Sequence, residues 1–180
     1  MTKYIALLRG INVSGQKQIK MSELKTLFEE IRFQQVETYI QSGNVIFSSR
    51  EKADTKIANT ISSGIKNKFN FDVQVIVLRA ENIEYVIKNN PFAKMKKDTE
   101  RFYVTFLSGI PSSDNIKKLN SVEFSPEEYF IDGKYIYLFF PNGYGKSKLN
   151  NNLFENKLKV FGTTRNWKTI KAISELVNPQ

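Results

Sequence analysis

The segment Lys3 to Arg9 is an almost unbroken apolar run, which suits a central strand. Gly10 to Lys20 is polar and holds two glycines, so it reads as a loop. Leu24, Leu27, Phe28 and Ile31 then recur at the helical period, with Ser22 as the expected cap. Val36 to Ile40 and Val45 to Ser48 read as strands around the turn Gln41-Ser42-Gly43-Asn44. Ile57, Ile61, Ile65 and Phe69 line one side of a second helix, with Asp54 as its expected cap, and Val73 to Leu78 is a β-branched strand. The order β-α-β-β-α-β is the split βαβ pattern of ferredoxin-like domains.

The second half follows a similar order. A short helix with Ile83, Val86 and Ile87 stops before Pro91, and the polar stretch Asn90 to Glu100 reads as a linker. Beyond it, Arg101 to Leu107 is a strand, and Ser112 or Ser113 opens a helix with Ile116 and Leu119. Glu128 to Ile131 and Tyr135 to Phe140 flank the hairpin signal Asp132-Gly133. Leu149 to Val160 and Asn166 to Val177 read as helices, which makes this half β-α-β-β-α-α. The expected fold is therefore α+β: two ferredoxin-like halves with antiparallel sheets, residues 1–90 and 91–180, the second with an extra C-terminal helix. A chain of 180 residues is long enough for two such small domains. No residue-level repeat relates them.

Composition removes whole classes of chemistry. The chain has neither cysteine nor histidine. Disulfides, thiolate nucleophiles, zinc–sulfur sites, Ser-His-Asp triads and imidazole acid–base catalysis are thereby excluded. The adjacent pairs Glu29-Glu30 and Glu127-Glu128 diverge on their elements and read as solvated faces, and no carboxylate cluster has metal-ligand spacing. Neither a metal nor a cofactor is expected. The N-terminus lacks the pattern of a signal peptide and no apolar run approaches a membrane span, so a cytoplasmic protein without a membrane partner is expected. Oligomeric state is not legible.

The net charge of +9 points toward an acidic partner such as nucleic acid. The 21 Lys, 6 Arg and 17 Asn equally fit the amino-acid usage of an AT-rich genome. Distribution is more informative: between 134 and 171, Lys134, Lys146, Lys148, Lys157, Lys159, Arg165, Lys168 and Lys171 face only Glu155.

Three constellations could carry chemistry. In a split βαβ unit, the loop after the first strand lies at the same sheet end as the hairpin joining the second and third. Topology therefore brings Arg9 and Asn12 to Gln41, Ser42 and Asn44. One fixed cation among amide and hydroxyl groups suits a phosphate, carboxylate or base edge. The same residues equally serve to satisfy loop backbone. The segment Pro141 to Ser147 looks like a phosphate loop, but Phe140 stands where the first glycine is required, so a nucleoside triphosphatase is rejected. Lys146 and Lys148 remain candidates for holding an anion there. In Thr163 to Lys168, Thr164 is the expected helix cap, which places the basic Arg165 and Asn166 in a first helical turn that favours anions. Trp167, the single tryptophan, is a candidate for stacking or for core packing.

Four segments together carry a resemblance: Tyr4 to Val13, Thr38 to Val45, Asn90-Pro91-Phe92 and Thr163 to Trp167. With them the chain resembles the bacterial domain-of-unknown-function family numbered 1697 over essentially its whole length. Ser14 departs from the pattern, where a glycine is frequent, and this bears on how closely a ligand approaches the loop. The resemblance implies a cytoplasmic bacterial protein of two ferredoxin-like halves, with no established activity and no catalytic residues to carry over.

The leading functional expectation is a binding protein for an anionic ligand, nucleic acid included, using the basic stretch and the Arg9/Asn12/Gln41/Ser42/Asn44 patch. Ferredoxin-like sheets bind RNA through open aromatic rows, and strands 101–107 and 135–140 each carry such rows, although the RRM signature is absent. The alternative is an enzyme on a small phosphorylated or carboxylated metabolite, with Arg9 and Arg165 orienting the anion and Lys146 or a carboxylate moving the proton.

Overall fold

A computed structural model describes residues 1–95 and 97–178, with every side chain among them except that of Lys146. The chain divides into two compact units, Met1–Glu84 with Ile173–Gln180, and Tyr85–Ala172.

In the first unit, strands β1 (Thr2–Leu8), β2 (Gln34–Tyr39), β3 (Asn44–Ser49) and β4 (Val75–Arg79) form one antiparallel sheet in the order β2-β3-β1-β4. Helices α1 (Met21–Glu30) and α2 (Asp54–Phe69) supply the αs of the split pattern. Their apolar stripes, Leu24, Leu27 and Phe28 on α1 and Ile57, Ile61 and Ile65 on α2, pack on Tyr4, Ala6, Leu8, Val45 and Phe47. Ile5, Leu7, Ile46, Ile76 and Leu78, which alternate with that face, are buried as well. Burial on both faces is why β1 reads as a continuous apolar run.

Two helix starts differ from expectation. The residue capping α1 is Lys20, whose side chain bonds no helix amide, and Ser22 lies inside the first turn. The residue capping α2 is Ala53, while Glu51, one turn earlier, accepts the amides of Lys52 and Ala53 at 2.8 and 2.9 Å. Cap residues are placed by where the chain turns, so Asp54 falls inside the first turn, and the Glu51 carboxylate orders the residues leading into α2 rather than its own amides.

The second unit repeats the topology. Strands β5 (Phe102–Leu107), β6 (Glu128–Asp132), β7 (Tyr135–Phe139) and β8 (Gly162–Asn166) pair antiparallel in the order β6-β7-β5-β8. Helices α5 (Ser113–Asn120), capped by Ser112, and α6 (Asn151–Leu158) cover Ile136, Leu138 and Phe140. Strand β8 corrects the expected β-α-β-β-α-α order to a full β-α-β-β-α-β unit. Its sequence, Gly-Thr-Thr-Arg-Asn, lacks an apolar signature because its hydroxyls are satisfied laterally. Thr164 Oγ1 lies 2.7 Å from both Thr105 Oγ1 and Asn151 Oδ1. Gly162 is required for this pairing: a Cβ there would stand 2.9 Å from Thr105 Cγ2 and 3.1 Å from the Phe106 carbonyl.

The remaining helices are α3 (Ala80–Asn89), α4 (Pro91–Lys94) and α7 (Trp167–Val177), and the division between units falls within α3 and within α7. Within the stretch expected to link the halves, Asn90 caps α4 through the Phe92 amide, and Phe92 packs on Phe102 and Phe139. Among the described residues no helix is long and apolar enough to cross a membrane.

The aromatic rows of β5 and β7 are not open. Phe102, Val104, Phe106 and Tyr137 are buried, and so are Leu138 and Phe140 on the other face. Among the described residues, the buried Tyr137 hydroxyl has no hydrogen-bond partner. Burial pushes its phenol pKa far above the ordinary value. Tyr137→Phe is expected to stabilise the protein by about 1 kcal/mol, because the substitution removes an unpaid desolvation cost. Above about pH 10 an unfolded tyrosine ionises while buried Tyr137 stays protonated, so the unfolded state holds fewer protons and stability falls as pH rises. Urea unfolding from pH 8 to 11 should therefore show a shallower alkaline loss in the phenylalanine variant.

Candidate functional site

The loop after β1 and the turn between β2 and β3 meet at one end of the first sheet, as the topology requires. The amide of Leu8 donates to the Gly43 carbonyl at 2.8 Å, and that of Arg9 to the Gln74 carbonyl at 2.9 Å. Ile11 is buried and anchors the loop root. Asn12 then ties the loop together. Its Nδ2 donates to the carbonyls of Ile19 and Gln41, both at 2.9 Å, and its Oδ1 accepts the Ile19 amide at 2.8 Å. Lys17 fastens the far side by donating to the Asp72 carbonyl at 2.6 Å.

The sequence-derived residues divide by role here. Asn44 is fully buried, and its Nδ2 donates to the Tyr39 carbonyl and to Ser42 Oγ. Asn12, Ser42 and Asn44 thus organise the two loops. Arg9 leans toward β4, with Nη1 3.4 Å from Gln74 Oε1. Gln41 is exposed and borders a groove of about 370 Å³ together with Asn12, Gln18, Lys20 and Glu23. Gln18, Lys20 and Glu23 had no motif to mark them. Their only sequence signal is position, at the junction of a polar loop with the start of α1.

Positive φ angles concentrate in the two loops that form this groove. Thirteen described residues have positive φ, and seven of them are Gly10, Asn12, Ser14, Gly15, Lys17, Ile40 and Gly43. Ile40, at φ 49°, is the most unfavourable of these, since a β-branched side chain rarely adopts that region. Each non-glycine residue held there costs about 1–3 kcal/mol, and such residues persist only where surrounding contacts over-determine them. The Asn12 bonds are those contacts. Asn12→Ala is expected to cost about 2–3 kcal/mol in urea unfolding, since it removes three hydrogen bonds of about 1 kcal/mol each. Asn12→Asp keeps only the acceptor for Ile19 and should fall between the two.

The other candidates lie in the second unit. The Pro141–Ser147 loop ends in a 3₁₀ turn, Tyr144–Lys146, and Ser147 Oγ donates to Glu127 Oε2 at 2.6 Å. Lys148 is exposed, and the side chain of Lys146 lies outside the described residues. Arg165 is not in a first helical turn. It belongs to β8, is 7% exposed, and donates to Thr163 Oγ1 at 2.7 Å and the Thr164 carbonyl at 2.9 Å. Burial lowers its pKa to about 10, so it is a cation at neutral pH. Asn166, rather than Thr164, caps α7, its Oδ1 accepting the Thr169 amide at 2.8 Å. Trp167 is nearly buried and meets Phe102 edge-on at 6.0 Å.

The basic stretch does not gather at one end. Lys134 lies beside Leu107, whose amide bonds its carbonyl, and Lys159 approaches the same end through the Ser108–Phe161 bond. Lys148 follows Phe140, which pairs with Arg101 at the opposite end, and Lys168 follows Asn166, which pairs with Tyr103. At about 3.3 Å per strand residue, the two ends stand roughly 20 Å apart.

Comparison with known proteins accords with this architecture. The conserved bacterial protein SP0830 from Streptococcus pneumoniae is 27% identical in sequence and superposes with a TM-score of 0.77, covering 98% of this chain and 99% of that one. No curated protein matches the chain. The family described as protein of unknown function (DUF1697) matches residues 1–137, the whole of β1 to β4 and the strands β5 and β6 included. The resemblance carried by the Tyr4–Val13 and Thr38–Val45 motifs is thereby borne out, and the chain belongs to the DUF1697 family.

Proposed function

We propose that this protein binds a small anionic ligand in the groove between the 10–20 loop and the 40–43 turn. The observation that carries the reading is that Asn12 and Gly15, both at positive φ, line that groove, and that Gly10, Ser14, Lys17, Ile40 and Gly43, also at positive φ, belong to the loop and turn that form it. Backbone held in costly conformations around a polar cleft is the usual mark of a preorganised site. The groove also meets the first turn of α1, whose amides receive no side-chain cap. Those amides and the Lys20 ammonium would take the negative group, Gln41 and Gln18 would orient it, and Asn12 would act as a positioning residue. Two findings favour a small ligand over nucleic acid: the basic stretch is divided between two sheet ends, and the aromatic rows that would stack bases are buried apart from the half-buried Tyr103, Tyr135 and Phe139. The reading takes the protein as cytoplasmic and independent of any cofactor.

The test is a ¹H–¹⁵N NMR titration with inorganic phosphate, with succinate and with a single-stranded RNA, on wild type, Lys20→Glu and Gln41→Ala. Saturating shifts confined to residues 12–24 and 40–43, lost in Lys20→Glu, are expected for at least one small anion. RNA binding that survives about 0.15 M salt and maps to the second unit would overturn the reading, and so would the lack of saturable shifts with both anions.

A further inference from the structure

The chain has six arginines. Arg79 pairs with Asp54, Arg101 with Asp98, Arg165 bonds Thr163, and Arg9 reaches Gln74. Among the described residues, the guanidinium groups of Arg32 and Arg50 have neither a hydrogen bond nor an ion pair. Both border the same cavity, of about 710 Å³, at the end of the first sheet opposite the loop groove.

The fold explains their meeting. Arg32 lies in the connection from α1 to β2, and Arg50 directly follows β3. The pairing of Gln34 with Ser48 brings the start of β2 beside the end of β3, and with them the two arginines. Lys56, Asn59 and Thr60, spaced i, i+3 and i+4 on α2, line the facing wall. The one carboxylate in the lining is Glu51. It is occupied by the amides of Lys52 and Ala53, and by Lys56 at 3.9 Å. Three cations against one carboxylate leave a surplus of two positive charges, and the two unpaired arginines carry it.

Arg32 itself stands in an unfavourable place. Its φ is 69°, and the bonds from Arg32 N to the Glu29 carbonyl and from Phe33 N to the Phe28 carbonyl form the paired helix ending that glycine usually completes. The C-terminus of α1 favours a cation nearby, but lysine or arginine within the last turn would supply that without left-handed backbone. An arginine at this position therefore points to a use for its side chain.

We infer that this cavity binds a phosphorylated small molecule, with the phosphate held between Arg32 and Arg50. Planar guanidinium forks match phosphate oxygens bidentately, and two of them with a supporting lysine suit a dianion. The volume exceeds what a bare anion needs and lies in the range of sites for nucleotide-sized molecules. Phe33 and Ile31 in the lining offer apolar contact to the rest of the molecule. The site shares no residue with the loop groove, so each reading stands or falls separately.

Calorimetric titration with inorganic pyrophosphate, ADP and citrate tests it, at about 0.15 M salt, on wild type, Arg32→Gly, Arg50→Ala, the double variant and Lys20→Glu. Saturable binding of pyrophosphate or ADP is expected, weakened at least about tenfold by either arginine substitution and unchanged by Lys20→Glu. Arg32→Gly separates binding from folding, since glycine suits the left-handed position and the Tm should be no lower than wild type. Three results would overturn the proposal: no saturable binding of either phosphate probe at millimolar concentration, binding that persists in the double variant, or citrate binding as tightly as pyrophosphate.

Discussion

Replacing Gly43 by valine is expected to cost about 4 kcal/mol, the sum of two penalties that act on the same residue. Gly43 has φ 78°, where a side chain costs about 1–3 kcal/mol, more for a β-branched one. A Cβ on its backbone would also stand 2.8 Å from Leu8 Cβ and 2.9 Å from both Ile11 Cγ1 and Cδ1. Leu8 and Ile11 are fully buried and have nowhere to retreat, so overpacking adds about 1–3 kcal/mol. The turn would have to lift from the end of β1, breaking the bond from the Leu8 amide to the Gly43 carbonyl and the bond from Asn12 to Gln41. Urea unfolding measures the loss. Gly10→Ala and Gly15→Ala are the controls, because a Cβ there meets no atom within 4 Å and only the backbone cost of about 1 kcal/mol applies. A Gly43→Val variant no less stable than those two would mean that the turn tolerates displacement and that the groove is not rigidly held.

Phe47→Ala is expected to cost about 3–5 kcal/mol, the range for deleting a fully buried aromatic side chain. Phe47 is fully buried on β3, opposite Tyr4 in the β1 register. Its ring lies 5.9 Å from Tyr4, 5.3 Å from Phe28 on α1 and 4.5 Å from Phe33 before β2. It therefore joins sheet, helix and the α1–β2 connection in one cluster, and its removal leaves a cavity between elements that cannot collapse independently. Phe47→Leu retains most of the volume and should lose appreciably less. Because Phe33 borders the Arg32/Arg50 cavity, the alanine variant should also weaken ligand binding there, measured at a temperature where it stays folded.

The elements legible in the sequence are those whose stability rests on a face. The runs of β1 and β4 and the stripes of α1 and α2 were readable because burial demands apolar residues at the period of the element, whatever they pack against. Strand β8 was not readable, since Thr163, Thr164, Arg165 and Asn166 pair with β5, far back along the chain, and Thr164 bonds Asn151 of α6. The same reason displaced the expected caps. Ala53 rather than Asp54 stands at the start of α2, with Glu51 holding the Lys52 and Ala53 amides just before the helix, and Asn166 serves α7 from the end of a strand that local pattern does not reveal.

For the sites the division is sharper. Periodicity and connectivity alone place the 10–20 loop beside the 40–43 turn, because antiparallel pairing of β1 with β3 leaves no other arrangement. Composition, in turn, leaves these 180 residues without histidine or cysteine chemistry. Only the tertiary structure decided which polar residues of that end are spent on the backbone, as Asn12 and Asn44 are, and which, like Gln41 and Lys20, face a groove. It alone brought Arg32 to Arg50. Nothing local marks either residue, and their proximity follows from a strand register set by the whole buried face of the sheet.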